Sequence, residues 1–487
     1  MNANIAPVEP TQYALGIDRI QQLIDQPEEQ IKLSMNEIYS LPVATQEAMQ
    51  LESVKKRFRD QVDRIPILGK LREQQNIDEI RKLEDVAPLL LPHSAYKSYS
   101  LSVIEQGRFD RLTKWLNGLS IHDLSGLDAS GIETIDDWIM MLDEKTPIRV
   151  IHSTGTSGKL SFLPRSEVEI ESMVDGQRGT YSVFGSEAPR IAGPIESTPL
   201  LFPWYRRGAM AYHRVIDGMV KYLYGGNENM IYALNPGRLS ADAISLAGRL
   251  RAAEARGELG QQRIAPKLIA RREAFLVEQK EAPLRLGRFL DKLQTEIKGR
   301  SIQVLGSLPQ QFDLALAAKQ AGITHLFHPL SHIAAGGGNK GRDLPDDWED
   351  TVKNFYGVPQ LSGGYGMSEV VIGTRICANN HYHIPVFVIP FVLDPATGTP
   401  SPRKGTVTGR MGVFDVNART YWGGFLTGDK VTFSWGDVPC GCGRIGPYIH
   451  EGIRRFSEAE GGDDKITCAG APDAHDKAID FILKASG

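Results

Sequence analysis

The sequence has no excess of positive charge and no long apolar run. Its 487 residues include 55 Lys plus Arg and 59 Asp plus Glu, a formal net charge of −4. There is therefore no broad basic surface for a nucleic acid backbone. The longest apolar run, residues 384–393, is too short to span a bilayer and contains Pro385 and Pro390. The first 30 residues lack a basic segment followed by an apolar one. We expect a cytoplasmic protein without a secretory signal, a membrane span or a nucleic acid partner.

Several common motifs of nucleotide-binding and hydrolytic enzymes are also absent. A Walker A loop needs Gly at the position of Ser153 and Ser or Thr after Lys159, where this chain has Leu160. The Gly-x-Gly-x-x-Gly fingerprint does not follow an early strand, and the Gly-x-Ser-x-Gly elbow does not occur. These absences argue against P-loop NTPases, dinucleotide-binding enzymes and serine hydrolases.

The periodicity of the sequence predicts an α/β protein with more than one part. At 53.7 kDa, the chain exceeds the size at which a single core usually divides. Residues 240–298 predict two helices, and residues 302–327 predict two strands, 302–305 and 325–327, on either side of a helix. We predict four parts: a helical region at 1–90, a core at 91–385 with a large, mixed, mostly parallel sheet and flanking helices, a smaller β lobe at 386–470, and a short C-terminal helix at 471–487.

One loop has the composition of a phosphate-binding site. A short β-branched run ending at Ile151 leads into Ser153-Thr-Gly-Thr-Ser-Gly-Lys159. Glycines allow close approach of the backbone to an anion, and hydroxyls, N–H groups and an ammonium donate to it. The alternative is a flexible Ser/Gly connector. The candidate phosphate-binding residues are Ser153, Thr154, Gly155, Thr156, Ser157, Gly158 and Lys159.

Three later motifs add nucleotide chemistry to this loop. Gly363-Gly-Tyr-Gly-Met-Ser-Glu369 combines an aromatic ring for a base with a carboxylate for a metal ion. Phe425-Leu-Thr-Gly-Asp429 places an aspartate where it can accept ribose hydroxyls. Gly336-Gly-Gly338 would let the backbone lie flat against a ligand.

These four segments, in this order, resemble the adenylate-forming superfamily of acyl-CoA synthetases, luciferases and peptide-synthetase adenylation domains. Within it, the sequence is most similar to phenylacetate-CoA ligases and to acyl-protein synthetases. The resemblance implies activation of a carboxylic acid by ATP and Mg²⁺ to an acyl-adenylate, with release of pyrophosphate and transfer of the acyl group to CoA or a protein thiol. It implies catalytic roles for Lys159 and Glu369, with Glu369 binding Mg²⁺ and Asp429 binding ribose. The implied contacts to adenine and the α-phosphate are Gly336, Gly337, Gly338, Tyr365, Gly366, Met367 and Ser368.

The sequence departs from the family pattern in three places. The arginine that usually precedes Thr-Gly-Asp is replaced by Phe425-Leu426, and the Gly-Arg hinge motif reads Gly461-Gly462-Asp463-Asp464-Lys465. Arginines that could take over these roles are Arg444, Arg454 and Arg455, of which we assign Arg444 to the nucleotide site. The C-terminal lid of about a hundred residues, which closes for the second half-reaction in the family, is expected to be largely absent.

The acyl acceptor and the acyl pocket have candidate residues with alternative explanations. Acyl-protein synthetases transfer the acyl group to a cysteine near their C-terminus, which makes Cys468 a candidate acceptor; alternatively it is a small buried cysteine. The family places much of its acyl pocket in the segment that here holds Trp204, Tyr205 and His213. Core packing would also explain these aromatic residues.

The remaining cysteines form a candidate zinc site. Phenylacetate-CoA ligase-like chains often have Cys and His before the β lobe and a cysteine pair after it, which implies Cys377, His383, Cys440 and Cys442 here. Three thiolates and one imidazole suit structural Zn²⁺. His381 competes with His383, and buried thiols without metal are the alternative.

Two other functions share these features. An amide- or ester-forming ligase would carry out the same first half-reaction with a different acceptor. A non-catalytic subunit that binds nucleotide or acyl groups would retain the fold without turnover.

Overall fold

A computed structural model describes residues 14–153, 159–257, 264, 266–334, 338 and 342–456, with the side chains of 255, 256, 371–373 and 375 excluded. Among these residues, no helix combines the length and the apolar character needed to cross a membrane. The C-terminal helix predicted at 471–487 and the hinge motif at 461–465 lie outside the described residues.

The described residues form helices in the N-terminal part, helices and short strands in the middle, and strands alone after Tyr356. The α-helices are α1 (Ile17–Asp25), α2 (Met35–Ser40), α3 (Val43–Gln61), α4 (Pro66–Gln75), α5 (Leu101–Glu105), α6 (Phe109–Asn117), α7 (Ile135–Lys145), α8 (Glu167–Tyr181), α9 (Ala211–Gly218), α10 (Ala241–Arg256), α11 (Pro266–Ala270), α12 (Arg272–Glu296), α13 (Leu308–Gln320) and α14 (Trp348–Tyr356). The strands are β1 (Leu91–Pro92), β2 (Ile151–His152), β3 (Phe162–Leu163), β4 (Leu200–Arg207), β5 (Ile231–Arg238), β6 (Gln303–Val304), β7 (His332–Ile333), β8 (Gly364–Met367), β9 (Val370–Arg375), β10 (Tyr382–His383), β11 (Val388–Leu393), β12 (Thr406–Asp415), β13 (Gly424–Ser434), β14 (Tyr448–Ile449) and β15 (Arg454–Arg455). Shorter turns of helix lie at Pro27–Lys32, Leu83–Leu89, Ala95–Lys97, Ile195–Ser197, Met219–Leu223 and Glu228–Met230.

A parallel sheet confirms the α/β prediction for the core. Its four strands have the order β5-β4-β6-β7, and every pairing in it is parallel. Strand β4 begins with Leu200, Leu201 and Phe202, all fully buried, as is typical of strands covered by helices on both faces. Helices α12, α13 and α14 pack with this sheet in one apolar cluster that includes Leu293 and Phe312.

A second sheet of seven strands makes up most of the β lobe. Its central path is β10-β14-β13-β12-β11, all antiparallel, with β15 antiparallel and β1 parallel to β13. The long hairpin of β12 and β13 confirms the β segments predicted after residue 386. The lobe has more strands than the parallel sheet, so the mixed architecture is divided between two sheets.

The predicted strand at residues 325–327 is wrong. His325 has a left-handed φ of 48°, which a strand cannot contain. The N–H groups of residues 325, 326 and 327 donate to the last carbonyls of α14, at Asn354, Phe355 and Tyr356. The segment therefore caps a helix, and the strand of this unit is β7, at His332–Ile333.

The helices α1 to α4 pack on the β lobe. Both contribute to one apolar cluster, which contains Met49 and Phe58 of α3 as well as Val388 and Trp422 of the lobe. Polar side chains along one face of α3 also donate to main-chain carbonyls of the lobe. These bonds are Gln50 to Val386 and Val388, Arg57 to Val416, and Gln61 to Ala418.

Candidate functional site

The predicted phosphate loop is carried by a small antiparallel hairpin. Strand β2 pairs with β3, with Ile151 opposite Leu163. On the loop side of the hairpin, the Ser153 N–H donates to the Ser161 carbonyl at 3.0 Å, and the Ser161 N–H donates to Ser153 Oγ at 3.0 Å. The strand predicted before the loop is present at Ile151–His152, while residues 154–158 lie outside the described residues.

Lys159, at the end of this loop, is held by Tyr99. Its Nζ donates to the Tyr99 carbonyl at 2.7 Å and lies 5.5 Å from the centre of the Tyr99 ring. In this arrangement the ammonium is anchored at the base of the hairpin. The catalytic role of Lys159 stays a prediction.

The second motif forms a tight hairpin with a carboxylate at its tip. Strands β8 and β9 pair antiparallel, and Ser368 and Glu369 form the turn between them. Burial raises the pKa of Glu369, and the nearby charges of Arg455 and Arg165 oppose this rise. Asp429 adds to it. Two carboxylates and two guanidinium groups therefore share one electrostatic environment.

Asp429, on β13, joins the third motif to the second. Its Oδ2 accepts a hydrogen bond of 2.8 Å from the Tyr365 hydroxyl, and its Oδ1 lies 3.1 Å from Arg455 Nε. The Asp429 carboxylate also contributes to raising the pKa of Tyr365, although burial is the larger cause. Both carboxylate oxygens thus have partners, and ribose hydroxyls would have to share or replace them.

Arg444, which the sequence assigned to the nucleotide site, lies elsewhere. Its Nη2 is 2.6 Å from Glu187 Oε1, and its guanidinium lies between the rings of Tyr39 and Phe184, at 5.6 and 4.9 Å from their centres. It also interacts with Cys442. Of the three arginines that the sequence offered, it is Arg455 that contacts Asp429.

The remaining nucleotide-site residues are placed only in part. Gly338 has a left-handed φ of 61°, a conformation that favours glycine, while Gly336 and Gly337 lie outside the described residues. Gly366 is exposed and Met367 half-buried on β8. Their contacts with a nucleotide stay predictions.

The aromatic residues predicted for the acyl pocket are packed together. Trp204 and His213 are buried, with ring centres 6.1 Å apart, and Tyr205 is half-buried. Gly208 is tightly packed on His213, because a Cβ there would lie 2.5 Å from Nδ1. Burial lowers the pKa of His213 to about 3, so its imidazole is neutral. These residues pack against one another, and their contact with substrate stays a prediction.

The four predicted zinc ligands come together. One ligand atom from each of Cys377, His383, Cys440 and Cys442 lies within 4.8 Å of all the others. Cys377 Sγ is 3.9 Å from Cys440 Sγ, and Cys442 Sγ is 3.2 Å from His383 Nε2. Ligands of one tetrahedral Zn²⁺, at its usual bond lengths, lie about 3.3–3.8 Å apart. The residues therefore fit a zinc ion.

The protonation of the histidine also suits a metal. Burial lowers the pKa of His383, which leaves the neutral imidazole that binds metals. His381 lies 3.3 Å from Cys440 Sγ through Nδ1 and stacks on Tyr448, but it is not part of the four-residue set. The structure thus groups His383 with the cysteines.

Two residues at the site were not predicted. Arg165 donates to the Ser368 carbonyl at 2.8 Å, and the Tyr421 hydroxyl donates to the Glu369 carbonyl at 3.2 Å. Neither residue belongs to one of the motifs. The only signal in the sequence is that Arg165 comes shortly after the apolar strand that follows the phosphate loop. A charge in that position indicates a role only once its burial is known.

No family model matches the chain, and no curated protein matches it. Among solved structures, 2-hydroxyisobutyryl-CoA ligase with 2-HIB-AMP and CoA in the thioesterification state is 13% identical, with 85% of this chain and 69% of that chain covered and a TM-score of 0.48. Its open conformation is 12% identical, covering 85% and 75%, with a TM-score of 0.46. ATP-bound MatB from Rhodopseudomonas palustris is 13% identical, covering 62% and 46%, with a TM-score of 0.31. The function proposed next depends on the side chains of the site.

Proposed function

We propose that this chain uses ATP and Mg²⁺ to convert a carboxylic acid into an acyl-adenylate, with release of pyrophosphate. The observation that carries the proposal is the meeting of three motifs that are distant in sequence. Arg165, just after the phosphate loop, contacts Ser368, 203 residues later. Tyr365 contacts Asp429, 64 residues further along the chain. These two contacts support the proposal that the hairpin of the phosphate loop, Glu369 and Asp429 act together in one site.

The residues present fit the demands of this reaction. The substrate carboxylate attacks the α-phosphorus, and the bond to the pyrophosphate leaving group breaks, so no protein nucleophile is needed. The protein positions the reactants and neutralises charge. Glu369 would hold Mg²⁺, which supplies charge for the phosphates. Asp429 would accept the ribose hydroxyls, and Tyr365 would hold that carboxylate in place.

The test is acid-dependent exchange of labelled pyrophosphate into ATP, with a panel of aryl, short-chain and long-chain acids. We expect one class to support exchange and Glu369→Gln to lower the rate by about 10²–10³-fold, the range for loss of one preorganised charge contact. Lys159→Ala should also lower it. Asp394→Asn is the matched control, since Asp394 caps an exposed turn formed with Thr397. Unchanged exchange in Glu369→Gln and Lys159→Ala would contradict the assigned site.

Silence with every acid, combined with measurable ATP binding, would favour a non-catalytic nucleotide-binding subunit. Exchange that occurs without CoA and gives a product only with an amine or an alcohol would favour the amide- or ester-forming alternative. The panel therefore separates the three functions.

We further propose that the acyl group passes to CoA or to a protein thiol. Cys468, the candidate internal acceptor, lies outside the described residues. Labelled acid should remain covalently bound to the wild-type chain and be absent from Cys468→Ser if this cysteine is the acceptor. Release of acyl-CoA by both proteins would assign the acceptor role to CoA.

We also propose that Cys377, His383, Cys440 and Cys442 bind one structural Zn²⁺. The ion would stabilise the junction of β10, β14 and the loop between β13 and β14. Metal analysis after mild purification should give about one zinc per chain, and Cys440→Ser should lose it. Cys468→Ser, which leaves the four ligands intact, is the control. A zinc-free wild-type protein would contradict the proposal.

A further inference from the structure

Arg165 is a buried charge between the two hairpins of the site. It is fully buried, and its Nη2 donates to the Ser368 carbonyl at 2.8 Å. Its main chain is fixed to the phosphate-loop hairpin, because its carbonyl accepts from the Arg149 N–H at 2.6 Å and its N–H donates to the Leu163 carbonyl at 3.0 Å. The side chain therefore connects the phosphate-loop hairpin to the turn that carries Glu369.

The contacts of this guanidinium are incomplete in the described structure. Its Nε and Nη1 have no hydrogen-bond partner among the described residues, and no described carboxylate lies within ion-pair distance. A buried charge without a compensating partner carries a large desolvation penalty. A core arginine with this cost indicates a function in the site rather than in packing.

A neighbouring tyrosine reinforces the same turn. The Arg165 guanidinium lies 5.2 Å from the centre of the Tyr421 ring, and the Tyr421 hydroxyl donates to the Glu369 carbonyl at 3.2 Å. Two consecutive carbonyls, of Ser368 and Glu369, are thus held by a stacked pair of side chains. Arg165 also interacts electrostatically with Glu369.

We propose that Arg165, supported by Tyr421, is a positioning residue for adenylation: it fixes the Ser368–Glu369 turn against the phosphate-loop hairpin and places a permanent positive charge behind the metal-binding carboxylate. This inference rests on the proposed function. Arginine suits the role because its planar guanidinium can stack and donate at the same time, whereas lysine cannot do both. Arg165 acts through Glu369 and does not itself touch the reacting atoms.

The experiment compares Arg165→Lys and Arg165→Gln with the matched pair Arg57→Lys and Arg57→Gln. Arg57 is also buried and donates to a main-chain carbonyl, that of Val416 at 2.8 Å, and it pairs with Glu28 rather than with a residue of the site. Pyrophosphate exchange is measured against Mg²⁺, ATP and acid concentration. We expect Arg165→Gln to lower kcat at least tenfold and to raise the half-saturating Mg²⁺ concentration, with the KM for the acid unchanged. Arg165→Lys should recover part of the kcat, and the Arg57 variants should lose stability only.

Tyr421→Phe keeps the charge and removes one hydrogen bond, so it serves as a second variant if Arg165→Gln does not fold. It should raise the half-saturating Mg²⁺ concentration in the same direction by a smaller factor. Equal Mg²⁺ dependence in wild type and in Arg165→Lys and Tyr421→Phe would overturn the inference while leaving the proposed function intact. If the wild type shows no exchange, the proposed function fails. The role of Arg165 is then tested by calorimetric titration of ATP into the protein with and without Mg²⁺. Identical Mg²⁺ dependence of binding in wild type and Arg165→Lys would then overturn it.

Discussion

Glu169 connects the phosphate-loop side of the site to the β lobe, and its replacement by glutamine should destabilise the protein. Glu169 is fully buried in the first turn of α8. Its Oε2 accepts from the N–H and hydroxyl of Ser166 at 2.9 and 2.5 Å. Its Oε1 accepts from the N–H of Arg419 at 2.9 Å and from the N–H and hydroxyl of Thr420, both at 2.8 Å. One carboxylate thus satisfies five donors.

The magnitude follows from what an amide can replace. A glutamine that keeps its oxygen toward Thr420 turns its NH₂ group toward the Ser166 N–H, and one buried donor unpaired costs about 1–3 kcal/mol. The three bonds that remain fall from charge-assisted to neutral strength, a loss of about 0.5–1 kcal/mol each. We therefore expect Glu169→Gln to lower the free energy of unfolding by about 2.5–6 kcal/mol.

The assay is urea unfolding at 25 °C with far-ultraviolet circular dichroism, in which an unchanged slope allows the shift in midpoint to be read as stability. Glu167→Gln is the matched control: it lies on the same turn of α8 but makes half-exposed ion pairs with Lys221 and Arg149. Such a pair contributes about 0–1 kcal/mol. Equal, small losses in both variants would refute the reasoning.

Three further predictions concern the zinc site, a buried acid and a tight turn. A chelator should lower the thermal midpoint of the wild type and have no further effect on Cys442→Ser, as scanning calorimetry can measure. Burial, reinforced by Asp136, raises the pKa of Asp242 to about 7. Because the folded state holds this proton more tightly than the unfolded state, the contribution is complete below about pH 4 and is lost as pH rises toward 7. Unfolding of Asp242→Asn should therefore depend less on pH in this range than that of the wild type, and equal slopes would contradict this. Gly423→Ala should destabilise by about 1–3 kcal/mol, since its Cβ would lie 2.3 Å from the Asp415 carbonyl oxygen; an unchanged urea midpoint would contradict the clash.

Residue composition and short sequence patterns predicted helices and strands whose formation depends on neighbouring residues. Helical structure over 240–298 was predictable from composition, although the described residues form three helices there, α10, α11 and α12, instead of two. The strand before Ser153 was predictable from a β-branched run followed by glycines. The strand expected at 325–327 was not, because a short apolar run can cap a helix as readily as it can pair in a sheet. Its capping role depends on α14, a helix that begins only at Trp348.

The candidate site shows the same division. The resemblance to phenylacetate-CoA ligase-like chains implied a cluster of cysteine and histidine, which the fold assembles from residues such as Cys377 and Cys440, 63 residues apart. The sequence could not predict which arginine contacts Asp429, because Arg444 and Arg455 both follow the Thr-Gly-Asp motif. Only the fold shows that Arg455 contacts Asp429, whereas Arg444 contacts Glu187. Arg165 was missed for a related reason: its importance comes from burial between two hairpins, which no spacing in the sequence records.

The hydrogen bonds from α3 to the β lobe also determine when the chain can finish folding. The bond from Gln61 to the Ala418 carbonyl spans 357 residues. At a synthesis rate of about 5–20 residues per second, the acceptor emerges about 20–70 s after its donor. During that interval the apolar face of α3, with Met49 and Phe58, has no β lobe to cover it. The N-terminal helices are thus the first part of the described chain to be made and among the last to be completed, and a ribosome-bound chain would present them to chaperones throughout synthesis of the core.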